Sequence, residues 1–88
     1  MASYDIVFKP SVRKDLRALP SSLVVQIIER IESLKDEPLP RSALRLSGSE
    51  RLYRIRVRDY RIVYEVDNSA MQIAIHYIRH RREVYRAR

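Results

Sequence analysis

Apolar and polar positions change period once along this chain, from helical spacing in the first half to strict alternation in the second. Tyr4 to Phe8 (YDIVF) alternates weakly and is rich in β-formers, which predicts a first strand. Pro10 suits the first turn of a helix, where its missing N–H costs no hydrogen bond, and Val12, Leu16 and Leu19 follow at helical spacing. Pro20 breaks that segment, and Ser21 or Ser22 can cap a second helix. Its apolar stripe is Leu23, Val24, Ile27, Ile28, Ile31 and Leu34, with polar residues between, and Pro38 and Pro40 end it. From Leu52 the period becomes two, and Leu52–Val57, Tyr60–Val66 and Met71–Ile78 read as strands. Their short links, Arg58-Asp59 and Asp67 to Ala70, predict an antiparallel meander. The remainder, Arg79–Arg88, is expected to leave the sheet with a turn of helix. The predicted fold is α+β, β-α-α-β-β-β, a helical hairpin on one face of an antiparallel sheet, with residues 1–88 forming one domain.

Alternation also sorts the strand side chains by face. Tyr53, Ile55 and Val57 share the face that the helices should cover, which leaves Arg54, Arg56 and Arg58 on the open face. Tyr60, Ile62, Tyr64 and Val66 form the apolar set of the next strand, so Arg61 should also point outward. In the last strand Ile73, Ile75 and Tyr77 should face inward and His76 outward.

Charge sharpens this picture. Of the formal net charge of +7, none comes from residues 1–40, where six basic and six acidic side chains cancel. Residues 41–88 hold twelve arginines, no lysine and five acids, so the whole excess lies there. Arginine presents a planar fork of donors that fits phosphate oxygens and stays charged at physiological pH. Like charges crowded on one sheet face repel each other, and a sheet built only for stability would intersperse acids. A solvated basic face or an acidic protein partner is the plainer explanation; a polyanion site accounts better for the concentration on one half.

Other chemistry is poorly supplied. There is no cysteine, so disulfides, thiolate catalysis and cysteine-based zinc sites are excluded. No His/Asp/Glu group has metal-ligand spacing, one glycine cannot make a phosphate-cradling loop, and no serine sits in a nucleophile motif. No cofactor is expected. The absence of a signal-like start or a long apolar run points to a cytoplasmic protein with no membrane partner. Arginine, tyrosine and histidine remain, and they suffice for metal-free RNA cleavage, in which the ribose 2′-OH attacks its own phosphate and the protein supplies positive charge and proton transfer.

Three segments, YRIRV (53–57), DYRIVYEV (59–66) and IRHRREVY (78–85), in this order and spacing, resemble the RelE/ParE family of type II toxins. The resemblance covers nearly the whole chain and implies the RelE-like microbial RNase fold. In that family the RelE branch cuts messenger RNA in the ribosomal A site, the ParE branch poisons DNA gyrase, and a cognate antitoxin wraps and neutralises either. The resemblance implies catalytic roles for Arg61, at the scissile phosphate, and for Arg81 and Tyr85. It places Arg54 and Arg56 on the RNA backbone, where some relatives carry a lysine that could exchange a proton; arginine here is restricted to charge stabilisation. Arg58, Arg79, His80 and Arg82 complete the expected RNA-binding set, with His80 a second candidate for proton transfer because imidazole titrates near neutrality. Tyr85 could instead pack its ring on the sheet, and His76 could be an ordinary sheet residue. The implied partners are an antitoxin, the ribosome with its message, and operator DNA only through the toxin–antitoxin complex. The alternative is a ParE-like gyrase poison without nuclease activity.

Overall fold

The computed structural model describes residues 3–46, 48 and 51–80. The elements run β1 (Asp5–Phe8), α1 (Pro10–Arg17), α2 (Ser21–Ser33), β2 (Leu44–Arg45), β3 (Leu52–Val57), β4 (Tyr60–Asp67) and β5 (Gln72–His80). They form one five-stranded sheet in the order β1-β5-β4-β3-β2. The β2–β3, β3–β4 and β4–β5 pairs are antiparallel as expected, but β1 runs parallel to β5, from Asp5 opposite Gln72 to Phe8 opposite Ile75. The sheet is therefore mixed, and the two-residue β2 adds a strand to the expected order. β1 joins the free edge of β5 and runs in the same direction.

The helices cover one face. Val12 of α1 and Ile27, Ile31 and Leu34 of the α2 segment meet Ile55, Ile62, Tyr64, Val66, Ile73, Ile75 and Ile78 of the sheet. Each such side chain removed from water stabilises the fold by roughly 1.5–3 kcal/mol. The predicted α2 stripe is thus narrower than its sequence, since Val24 and Ile28 stay half-exposed. The expected serine cap is also corrected: Pro20 occupies the cap position and Ser21 the first helical one. The Pro20 carbonyl accepts from the N–H groups of Leu23 and Val24, both at 3.0 Å. Its ring fixes the extended φ that a cap residue needs (φ −58°, ψ 145°). The buried Tyr64 hydroxyl donates to the Pro38 carbonyl at 2.7 Å and ties the loop after α2 to the sheet. Burial pushes this phenol up to about 12. Among the described residues no helix is long and apolar enough to cross a membrane.

A register shift lies between Val63 and Tyr64 of β4. Val63 faces Tyr77 and Tyr64 faces Ile75, which leaves His76 as the extra residue of a β-bulge. The bulge changes the phase of β5. Ile73, Ile75 and Ile78 point to the core, while Tyr77, expected inward, turns to the open face opposite Val63. The strand also continues further than predicted, so Arg79 and His80 belong to the sheet and do not leave it.

Candidate nucleic-acid interface

Cross-strand register builds a row of arginines on the open face. Arg56 of β3 lies opposite Arg61 of β4, and Arg61 lies opposite Arg79 of β5. Directly opposed like charges cost roughly a few tenths of a kcal/mol to 1 kcal/mol per pair. Arg61 stands between two of them and is only 9% exposed. Among the described residues no carboxylate comes within salt-bridge distance of Arg54, Arg56 or Arg79. Of the two acids that β4 puts on this face, Glu65 is held instead by His76 at 3.0 Å and Arg51 at 3.6 Å, and Asp67 accepts from the Ala70 N–H at 3.0 Å.

Arg61 lines an open cavity of about 300 Å³ together with Arg54 and Arg56, the Ile55 segment between them, Ser42 and Leu44. The alternation of β3 puts both arginines on the cavity side, and the β2–β3 pair sets Leu44 opposite Arg54. Arg56 is further held by its Nε donating to the Arg58 carbonyl at 2.9 Å. Arg79 stacks its guanidinium over the Tyr77 ring, 4.8 Å from the centroid; alternation puts the two on one face, and the bulge at His76 makes that the open face. The result is a concave, cationic surface with an apolar lip at Leu44, a form suited to a phosphodiester backbone.

The structure thus brings together Arg54, Arg56, Arg61 and Arg79. It does not bring in Arg58 or His80. Arg58, expected on the open face, sits in the β3–β4 turn with φ 54° and donates from Nε to Gln26 Oε1 of α2 at 3.0 Å. The left-handed turn swings its side chain over the edge to the helix side. His80 lies opposite Tyr60 and meets its ring edge-on, centroids 5.3 Å apart. Tyr60 packs against the core, so His80 stands on the helix side, across the sheet from Arg61. Arg81, Arg82 and Tyr85 lie outside the described residues. Ser42 and Leu44 were missed by sequence reasoning, because a loop serine and a two-residue strand carry no period.

Comparison with known proteins decides the family. The model described as "ParE toxin of type II toxin-antitoxin system, parDE" matches residues 6–85. The chain belongs to the RelE/ParE family of toxins. It is 36% identical over 66 residues to the RelE1 protein of Methanocaldococcus jannaschii, covering 72% of this chain and 73% of that one. In structure it is similar to the archaeal RelE–RelB complex of Pyrococcus horikoshii, with a TM-score of 0.79, 31% identity, and 89% and 94% of the two chains covered. A double arginine-to-alanine variant of the Escherichia coli RelE toxin superposes with a TM-score of 0.78 at 26% identity, covering 98% and 93%. This RelE/ParE chain is therefore RelE-like in sequence and in structure, a toxin of a toxin–antitoxin system with the RelE fold.

Proposed function

We propose that this RelE/ParE toxin is an mRNA endoribonuclease that acts on the ribosome without a metal. The cross-strand row Arg56–Arg61–Arg79, running beside the cavity, carries this reading. Cleavage by internal attack forms a bond from the 2′-oxygen to phosphorus and breaks the bond to the 5′-oxygen. One proton leaves the 2′-OH and one reaches the 5′-oxygen, and the product ends are a 2′,3′-cyclic phosphate and a 5′-hydroxyl. Negative charge grows on the phosphoryl oxygens in the transition state. Arg61, held nearly buried between two other arginines, is already oriented to meet that charge, an effect worth on the order of 10²–10³-fold per donor. Arg54 and Arg56 hold the flanking backbone, and Arg79 closes the far side of the row.

Proton transfer falls to Tyr85 in this proposal, with Arg81 adding positive charge, because His80 stands on the other side of the sheet from Arg61. The ribosome supplies the extended, aligned message, which explains why a short toxin needs so few groups of its own. A cognate antitoxin is the regulating partner, a reading supported by the similar RelB–RelE antitoxin–toxin complex of Methanococcus jannaschii, and operator DNA is reached through this chain's own toxin–antitoxin complex. The ParE description of the matching family model favours the second reading, a gyrase poison on the same fold.

Induction without the antitoxin, followed by primer extension on a translated message, separates the two. Codon-phased cuts are expected, and a 2′-deoxy nucleotide at the cut site should block them. Intact message with double-strand breaks in DNA would replace this reading with the gyrase one.

A further inference from the structure

We propose that Asp15 and Ser11 of α1 are positioning residues that hold the far end of β5 in the one phase that turns Arg79 toward the arginine row; the proposal rests on the nuclease reading above. The parallel partner β1 ends at Phe8, opposite Ile75. Beyond Ile75, β5 has β4 on one side and no strand on the other. Backbone groups on such an edge need partners or water. Here α1 supplies them. Ser11 Oγ donates to the His76 carbonyl at 3.3 Å, and Asp15 Oδ2 accepts from the Ile78 N–H at 3.0 Å. A helix takes the place of the missing strand through two side chains one turn apart.

These two bonds fall on the bulge residue itself and on the second residue after it. At a bulge the strand must choose a phase, and a slip of one residue exchanges the faces of everything beyond it. In the observed phase Ile78 is buried and Arg79 lies opposite Arg61. In the slipped phase Ile78 would turn out and Arg79 would turn toward the helices. Repulsion within the row favours the slip, since it would carry Arg79 away from Arg61. Asp15 opposes it by fixing the N–H of the residue just before Arg79. Neither Asp15 nor Ser11 lines the cavity, so they act through Arg79 and not on RNA.

The test uses Asp15→Ala, Asp15→Asn and Ser11→Ala in the full chain, at a temperature well below each melting point. Amide hydrogen exchange reads the pin directly, and single-turnover cleavage on programmed ribosomes reads its consequence. In Asp15→Ala the Ile78 amide should exchange at least about tenfold faster while the Ile62 amide in β4 is unchanged. The saturating cleavage rate should fall about tenfold or more with little change in half-saturating concentration. Asp15→Asn keeps an acceptor oxygen and should restore both, and Ser11→Ala should give a smaller loss of the same kind. Unchanged Ile78 exchange in Asp15→Ala overturns the proposal. Faster exchange with full cleavage also overturns it, as does a slow Asp15→Asn protein whose Ile78 amide is protected. A wild-type protein that leaves message intact removes the nuclease reading on its own. Growth arrest on induction then takes the place of cleavage as the readout for the same variants, and full arrest by Asp15→Ala with a freed Ile78 amide overturns the positioning role.

Discussion

At Arg61 the proposed site places its central charge inside the sheet. Its charge is nearly buried and lies between Arg56 and Arg79 on the adjoining strands. Arg61→Met keeps the length and packing of the side chain and removes the central charge of the row. At a temperature where it is folded, the Met variant should cleave message on programmed ribosomes about 10²-fold more slowly. Cleavage at the wild-type rate would remove Arg61 from the site. Tyr64 is the opposite case, a polar group serving the fold alone. Tyr64→Phe strands the Pro38 carbonyl and should cost about 1 kcal/mol in denaturant titrations at neutral pH. The folded phenol is raised from 10.0 to about 12, so the native state holds this proton longer than the unfolded chain. The stability it confers is fully present below pH 10 and is lost as pH climbs from 10 towards 12. The difference in stability between wild type and Tyr64→Phe should therefore shrink over that interval.

At the scale of elements, the β3–β4 hairpin carries a backbone conformation its residue does not favour. Arg58 has a positive φ, where a side chain with a Cβ costs roughly 1–2 kcal/mol and glycine does not. Arg58→Gly should stabilise the protein by about 1 kcal/mol less the value of the Gln26 hydrogen bond, measured by chemical denaturation. A destabilised Gly variant would mean that the bond to α2 outweighs the strain. This hairpin also shows where sequence reading stops. The Arg58-Asp59 link was legible as a two-residue turn, but alternation extended through Arg58 put it on the wrong face, because neither residue is the glycine or asparagine that signals a left-handed position. The strand set β3–β4 and the Ile27–Ile31–Leu34 ridge were legible because local period and burial coincide there. The phase of β5 was not. In IAIHYI an apolar residue falls inside on either side of the bulge, so Tyr77 and Ile78 are equally good by pattern. Only the partner strand and α1 choose between them. The parallel β1–β5 pair was invisible for a related reason, since nothing local in Asp5–Phe8 records the direction of a neighbour more than sixty residues away.

For the molecule as a whole, the basic half of the chain supplies β2 to β5 and the charge-balanced half supplies β1 and the helices, so the excess positive charge is concentrated in the sheet. Binding to programmed ribosomes should weaken steeply with salt, by about 0.7 in log K per tenfold salt for each single-strand phosphate contact released. The double variant Arg54→Gln/Arg56→Gln should lower that slope by about 1.4. A slope the same as wild type would place these side chains off the backbone. The neighbour relation of β1 has a consequence in time. An early segment of the chain can find its sheet partner only after β5 has been made, and β5 also brings Arg79 to the row and α1's anchor to its place. Contacts this distant in sequence form late, since a long loop must close before they reward the chain. While the protein is still emerging from a ribosome, Arg56 and Arg61 can meet across the local β3–β4 hairpin, but Arg79 has not yet joined them. The cell that makes this toxin is thus given an interval, the time to make and seat one strand, in which the polypeptide exists without its full arginine row.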